Sequence, residues 1–191
     1  KVFTGPVVIG EGVLSVTAPS APAQAAGVTV APGGQLRLVS ASSPGVPRVY
    51  TFGGTVTLSG YGRGAEIQES SGLGKLGALR YDPGTQSNVC VVATPVALAG
   101  EADIHVDGSQ NRLELAGGVS GGARLAKTGG GTLAVGGGCA LTAAVEVANG
   151  TLVFGGEAEV GALSGAGAVR IDGHAVSAVS VSYTGVKTVH A

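Results

Sequence analysis

The chain has 191 residues, of which 36 are glycine, and its 11 basic and 12 acidic residues give a net charge of −1. It has no basic stripe and no tryptophan, and only 4% of its residues are aromatic, so it lacks the features of a nucleic-acid-binding protein. Glycine follows no three-residue period, which excludes collagen. The 44% of hydrophobic residues are enough for a core, whereas 12% charged residues indicate a surface partly covered by neighbours.

The start of the sequence and its hydropathy bear on localisation. The first residue is Lys1, and methionine is absent from the sequence. We therefore expect an exported protein whose signal peptide has been removed, located outside the cell or at its surface. No apolar run reaches about 18 residues, so we expect no transmembrane segment.

Short alternating strands flank a glycine turn at six places, which are residues 7–16, 28–38, 104–115, 125–135, 145–154 and 163–171. The apolar residue after the turn recurs at Leu14, Leu36, Val56, Leu113, Leu133, Leu152 and Val169. A strand–turn–strand unit with a period of about 20 residues is typical of a β-solenoid. We predict an all-β parallel coil that forms one domain over residues 1–191, with side chains alternating between the core and the outside.

Three segments break this rhythm. Residues 18–26 and 40–48 are rich in proline, alanine or serine, and we expect them to be loops that leave the coil. Residues 60–95 are the least regular part and contain the charged residues Arg63, Lys75, Arg80 and Asp82. This region is either an insertion or two poorly matched turns of the coil, and it is where we expect specific contacts.

The two cysteines, Cys90 and Cys139, do not form a metal-binding motif. Their separation in sequence corresponds to about two and a half turns of a coil with this period, so a disulfide within the chain would need a loop that folds back. Three alternatives remain open, which are two free buried thiols, a disulfide within the chain and a disulfide between chains.

Glu101, Asp103, His105 and Asp107 alternate along one predicted strand and could share one face. Asp103, His105 and Asp107 are weak candidates for a metal site or for acid–base chemistry. We favour the simpler interpretation of a solvated outer face, because no matching acidic cluster recurs one period away. Asn149-Gly150-Thr151 formally matches a glycosylation site, and we interpret it as a turn. We expect no enzymatic activity and no cofactor.

Residues 127–137 (KTGGGTLAVGG) and 145–153 (VEVANGTLV) resemble the autotransporter-associated β-strand repeat, also called the passenger-associated transport repeat. The resemblance covers about 30 residues. It implies a right-handed parallel β-helix exposed outside a bacterial cell, and it brings no catalytic residues. The sequence departs from the family pattern at residues 138–142, where Gly-Cys-Ala-Leu-Thr replaces a polar stretch.

Both ends of the sequence are strand-like and lack a recognisable cap, which favours stacking of one coil on another. The expected assembly contacts are Val2, Phe3, Val7, Ile9, Val179, Val181, Tyr183 and Val186. We therefore expect a non-enzymatic extracellular subunit of a filament, tube or surface layer. One alternative is a surface adhesin, a passenger fragment that binds a host or matrix ligand. A third is a carbohydrate-active enzyme that uses Asp103, His105 and Asp107 with Arg80 or Lys75.

Overall fold

The computed structural model describes residues 4–20, 23–39, 46–62, 76–84 and 88–190. Within these ranges the chain forms strands joined by turns and bends, and no helix. The strands are β1 (Val7–Ile9), β2 (Gly12–Val16), β3 (Val28–Val30), β4 (Gly34–Leu38), β5 (Arg48–Tyr50), β6 (Val56–Gly60), β7 (Leu79–Tyr81), β8 (Val89–Val92), β9 (Val96–Val106), β10 (Arg112–Leu115), β11 (Val119–Gly121), β12 (Leu125–Thr128), β13 (Thr132–Val135), β14 (Cys139–Val147), β15 (Thr151–Phe154), β16 (Ala158–Gly165), β17 (Ala168–Asp172), β18 (Val176–Tyr183) and β19 (Lys187–His190).

The described strand pairs are all parallel and form three faces of a coil. The first face contains β1, β3, β6, β11 and the first halves of β9, β14, β16 and β18. The second face contains β2, β4, β7, β12 and the second halves of those four long strands. The third face is a separate seven-stranded sheet made of β5, β8, β10, β13, β15, β17 and β19. The predicted all-β parallel solenoid is confirmed.

The chain makes about eight turns, which we call rungs 1 to 8 in sequence order. In the first face, the Cα partners of rungs 4 to 8 are Val96, Val119, Cys139, Ala158 and Val176, which are 23, 20, 19 and 18 residues apart. The predicted period of about 20 residues therefore holds over the C-terminal half of the protein.

Not every residue in the predicted repeat has the same place in the coil. Leu113, Leu133, Leu152 and Val169 pair in succession within the third face. Leu14 pairs with Leu36 in the second face, whereas Val56 lies in the first face and pairs with Val28. Placing Val56 one period after Leu36 was wrong, because the partner of Leu36 is Leu79. The two positions look alike in sequence because each follows a glycine turn.

The irregular region near residues 60–95 belongs to a single long rung. Rung 3 runs from Val56 to Val96 in the first face and supplies β6, β7 and β8 to the three faces. The added length follows Gly60, before β7 begins at Leu79. Residues 63–75 and 85–87, which include Arg63 and Lys75, lie outside the described residues.

The core is a set of inward-facing columns in which apolar side chains stack from rung to rung. Alternation along each strand creates these columns, as in β10, where Leu113 and Leu115 are buried and Arg112 and Glu114 are half-buried. Each inward residue packs on its partners above and below, so burial is continuous along the axis. The outermost rungs are the exception, because one side of each inward residue has no further rung among the described residues.

The corner between the second and third faces requires glycine. Gly129 and Gly150 follow strands of rungs 5 and 6 and have φ angles of +75° and +71°. A Cβ on Gly129 would lie 2.3 Å from the main-chain oxygen of Val106, and one on Gly150 would lie 2.4 Å from that of Gly129. The stacked turns therefore pack backbone against backbone, which only glycine permits.

Candidate functional site

Charged side chains form a network on the outer side of the second face, across rungs 2, 3 and 4. Arg37, Arg80 and His105 occupy the same outward position in successive strands. Two arginines stacked at a spacing of about 4.8 Å, as Arg37 and Arg80 are, repel each other unless anions lie beside them. In two rungs an aspartate directly follows the strand and supplies the anion. Asp82 follows β7, and Asp107 follows β9. We call these five residues the ionic network.

Each carboxylate of the ionic network lies between two basic side chains. Asp82 Oδ2 lies 2.5 Å from Arg37 Nη2 and 3.1 Å from Arg80 Nη2. Asp107 accepts hydrogen bonds from Arg80 at 2.8 and 3.2 Å. Asp107 Oδ1 also lies 3.6 Å from His105 Nε2. Basic and acidic side chains therefore alternate along the axis and connect three rungs.

The electrostatics of Asp107 and His105 favour a stabilising role over acid–base chemistry. Burial disfavours the Asp107 carboxylate, but its contacts with His105 and Arg80 outweigh burial and lower its pKa to about 2. Asp107 is therefore ionised at neutral pH and has no proton to donate. His105 Nδ1 lies 3.0 Å from Thr128 Oγ1 in the next rung, so both ring nitrogens face protein groups.

Asp103, the third residue of the predicted candidate site, lies in a different group. It approaches Arg124 from the next rung, with 3.9 Å between Asp103 Oδ1 and Arg124 Nη1. Arg124 also forms an ion pair with Glu146, at 2.5 Å from Nη2 to Oε2. The prediction of a solvated outer face was wrong for Asp103, which is only 5% exposed, because Arg124 packs against it. Glu101 is exposed as predicted and accepts a hydrogen bond from Tyr61 Oη.

Both cysteines are free and buried. Cys90 lies in the third face in rung 3, whereas Cys139 lies in the first face in rung 6. Three rungs correspond to about 14 Å along the axis, well beyond the Cα separation of a disulfide. Of the three alternatives, the structure has two free buried thiols and does not support a disulfide within the chain. Burial also raises the pKa of both thiols, so they remain protonated.

Lys127 is a fully buried charge that interpretation of the sequence did not single out. It occupies an inward position in β12, in register with the core residue Ile104 of rung 4. Its Nζ donates hydrogen bonds to the main-chain oxygens of Thr128 and Gly129, both at 2.7 Å, and of Asn149 at 3.1 Å. We call these three oxygens the carbonyl cage.

The carbonyl cage matches the chemistry of a protonated lysine. An ammonium has three donors and no acceptor, and the cage provides three acceptors. Burial nevertheless lowers the pKa of Lys127 to about 7. Since Thr128 and Gly129 belong to rung 5 and Asn149 to rung 6, Lys127 connects two rungs at their shared corner.

A groove runs along the corner between the third and first faces, across rungs 4 to 8. Its volume is about 1060 Å³. Stacked turns line it, including Gly117–Gly118 and Gly136–Gly138, and Glu157, Glu159 and His174 lie toward its C-terminal end. Because glycine has no side chain, the groove presents backbone at these stacked glycine turns.

Rung 8 is the open end of the described coil. Its strands β18 and β19 are the last of the two sheets, and each pairs on one side only. Of the predicted assembly contacts, Val179, Val181 and Val186 are 90%, 53% and 69% exposed. Val189, in the same C-terminal segment, is 70% exposed. Tyr183 is half-buried, and its hydroxyl donates to the main-chain oxygen of Gly167.

The opposite end of the coil is less open. Val7 is half-buried and Ile9 is 6% exposed, so these two predicted contacts lie largely within the core. Val8, between them, is exposed and points outward. Val2 and Phe3 lie outside the described residues.

No protein-family model, curated protein or solved structure matches this protein. In the part of the sequence that the structure describes, no three His, Cys, Asp or Glu residues are close enough together to hold a metal ion. Across those same residues, no helix has the length and apolar character needed to cross a bilayer. The ionic network, the carbonyl cage, the groove and rung 8 are the features of the molecule that bear on its function.

Proposed function

We propose that this protein is a non-enzymatic structural subunit of an extracellular assembly, such as a filament, tube or surface layer, joined through the terminal rungs of its β-solenoid. The open edge of rung 8 is the observation that carries the proposal. Among the described strands, β18 and β19 have no partner on their outer side, and four exposed valines lie at this end. An edge of this kind is a template for a further strand.

The partner proposed for this edge is rung 1 of a second copy. In that arrangement β18 pairs with β1 and β2, which stand at the opposite end of the same sheet. Val181 occupies an inward column, so a further rung would bury it as the inner rungs bury Leu163 and Val145. Main-chain hydrogen bonds and the burial of small apolar side chains would supply the binding energy.

Two features support a structural role over an enzymatic one. Two of the candidates that the sequence offered for acid–base chemistry, His105 and Asp107, contact each other in the ionic network, and Asp107 forms an ion pair with Arg80. The resemblance of residues 127–137 and 145–153 to the autotransporter-associated repeat agrees with this role, because that family carries no catalytic residues. The same resemblance is the basis for proposing a bacterial, extracellular location.

A variant of rung 8 tests this proposal. Lysine at an edge blocks strand addition, because pairing would bury its charge. We expect the wild-type protein to form particles that grow with concentration in light scattering, and the double variant Val181→Lys, Val189→Lys to remain monomeric. The double variant Ser109→Lys, Ala116→Lys, in the exposed turns after β9 and β10, adds the same number of charges and is the matched control. A wild-type protein that is monomeric at every concentration would contradict the proposal, as would a double variant that assembles normally.

The groove favours a second candidate function, that of a surface adhesin. It spans rungs 4 to 8 and is long enough for an extended ligand, such as a glycan or peptide of the host or matrix. Ser120 is exposed in this groove, so Ser120→Arg would fill part of it. Binding to glycan or matrix-protein arrays that Ser120→Arg abolishes would support an adhesin, whereas an absence of binding by the wild-type protein would count against it.

A further inference from the structure

We propose that Asn149 is a site of spontaneous covalent modification, which converts it to isoaspartate or aspartate through a cyclic imide. This site is independent of the proposed function. Asn149-Gly150 is the corner turn between β14 and β15, and the Asn149 side chain is exposed to water. The backbone N–H of Gly150 donates to Asn149 Oδ1 at 2.7 Å. The Gly150 nitrogen therefore lies within contact distance of the Asn149 amide group, whose carbonyl carbon it must attack.

The chemical step needs only water and loss of a proton from the backbone amide of Gly150. The Gly150 nitrogen attacks Asn149 Cγ and forms a new N–C bond, and the bond between Cγ and Nδ2 breaks to release ammonia. Water then adds to one of the two imide carbonyls and opens the ring. Opening at one carbonyl gives aspartate, and opening at the other gives isoaspartate, in which the backbone runs through the former side chain. Gly150 assists because it has no Cβ to shield its nitrogen.

Three Asn-Gly or Asp-Gly turns occur in the sequence, and the aspartates of the other two, Asp107 and Asp172, accept hydrogen bonds from arginines. Cyclisation of an aspartate requires its protonated form, whereas the contacts with Arg80 and His105 keep Asp107 ionised. Asp172 Oδ2 accepts a hydrogen bond from Arg170 at 2.8 Å. An asparagine amide needs no such protonation before it cyclises. Contacts with arginine like those of Asp107 and Asp172 would therefore not prevent the reaction of an asparagine.

The position of Asn149 gives the modification a structural consequence. The main-chain oxygen of Asn149 is the rung 6 member of the carbonyl cage around Lys127. In isoaspartate the backbone gains a methylene and runs through the former side chain, so the main-chain carbonyl of Asn149 becomes a free carboxylate outside the backbone. The cage would then lose its fixed main-chain acceptor from rung 6, and the backbone contact between rungs 5 and 6 at this corner would weaken. We expect the modified protein to unfold at a lower temperature.

Peptide mass spectrometry tests this inference. Trypsin cleavage after Lys127 and Arg170 releases peptide 128–170, in which Asn149 is the one residue with a side-chain amide. The native protein is incubated at mildly alkaline pH, with urea-unfolded protein as the reference. We expect the mass of this peptide to rise by the difference between an NH2 and an OH group, and isoaspartate to appear. The variant Asn149→Ser, which keeps a turn-forming side chain, should show neither change.

The result that would overturn the inference is an unchanged peptide from native protein when the unfolded reference has converted. An unfolded reference that itself fails to convert would also overturn it. The structural consequence is tested on the same samples by thermal unfolding. The isoaspartate-containing fraction should melt below the unmodified fraction, whereas Asn149→Asp, which keeps the backbone unchanged, should melt close to the wild type. Equal melting temperatures for the two fractions would overturn the link to Lys127.

Discussion

Two ionised side chains of this solenoid are stabilised in different ways. Asp107 is held by a guanidinium and an imidazole, whereas Lys127 is held by main-chain oxygens alone. The difference appears in their pKa values. Contacts with basic side chains lower the pKa of Asp107 to about 2, whereas burial lowers the pKa of Lys127 to about 7. The carboxylate therefore strengthens the fold at neutral pH, and the ammonium strains it.

We expect Lys127 to make the protein more stable as pH rises above 7. Its pKa is about 7 in the folded state and 10.5 ordinarily, so between these values the unfolded state binds more protons. The free energy of unfolding then increases with pH, by about 1.4 kcal/mol for each unit of pKa difference. Urea unfolding at several pH values measures this slope, and Lys127→Met should remove it. A slope that is the same in both proteins would contradict this role of Lys127.

Asp107 should also make the protein more stable as pH rises, but in an acidic window. Its folded pKa of about 2 lies below the ordinary 3.8, so its stabilising effect is complete above pH 4. That effect is lost as pH falls from about 4 to 2, because the unfolded state then binds the proton first. Asp107→Asn should unfold more easily at pH 7 by about 1–3 kcal/mol and should lose less stability between pH 4 and pH 2. Identical acid titrations of wild type and variant would show that the ion pairs contribute nothing.

The strands are stabilised by what lies above and below them. Strands of three to five residues pair weakly on their own, but each inward side chain belongs to a column that runs through many rungs. The column of Leu113, Leu133, Leu152 and Val169 is an example in the third face. Loss of one member leaves a gap between two neighbours that the backbone ladder holds at fixed spacing.

Leu133→Ala should therefore destabilise the protein by about 2–5 kcal/mol. Leu133 is fully buried, and its partners in rungs 4 and 6 cannot close on a cavity because the backbone fixes their separation. Thr132→Ala, at the half-buried neighbouring position, is the control and should change stability by less than about 1 kcal/mol. Chemical unfolding compares the two, and equal losses would mean that the core columns do not dominate stability.

Alternation and turn composition were enough to predict the elements but not their register. Val28, Val30, Leu113 and Leu115 are buried as predicted, because inward and outward positions alternate within a strand regardless of its partners. Whether Leu36 pairs with Val56 or Leu79 depends on the length of rung 3, which no local pattern encodes. Register therefore had to come from the three-dimensional structure.

The candidate site depended on that register, so the sequence predicted only part of it. His105 and Asp107 were identified because they are close in sequence. Arg37 and Asp82 were missed as a pair because 45 residues separate them. One signal was present, since Arg37 and Arg80 both follow a leucine in Gln-Leu-Arg-Leu and Ala-Leu-Arg-Tyr. The burial of Lys127 could not be predicted, because lysine at an inward position breaks the pattern used to identify the core.

At the scale of the whole molecule, the two ends of the coil differ. Rung 8 exposes its valines, whereas the inward residues of rung 1 are mostly covered, as the 6% exposure of Ile9 shows. In the third face the described strands begin in rung 2 with β5 and end in rung 8 with β19. A junction between rung 8 of one copy and rung 1 of the next would therefore pair mainly the continuous sheet of the first and second faces. Growth by this route is directional, since parallel strands add head to tail.

The central claim is that the parallel ladder continues from rung 8 of one molecule into rung 1 of the next, and electron cryomicroscopy of the concentrated protein tests it most directly. We predict filaments one solenoid wide, with an axial strand repeat of about 4.8 Å that is unbroken across the junctions between molecules. Single rods of one molecular length at every concentration would contradict the claim, and so would filaments whose subunits touch side by side.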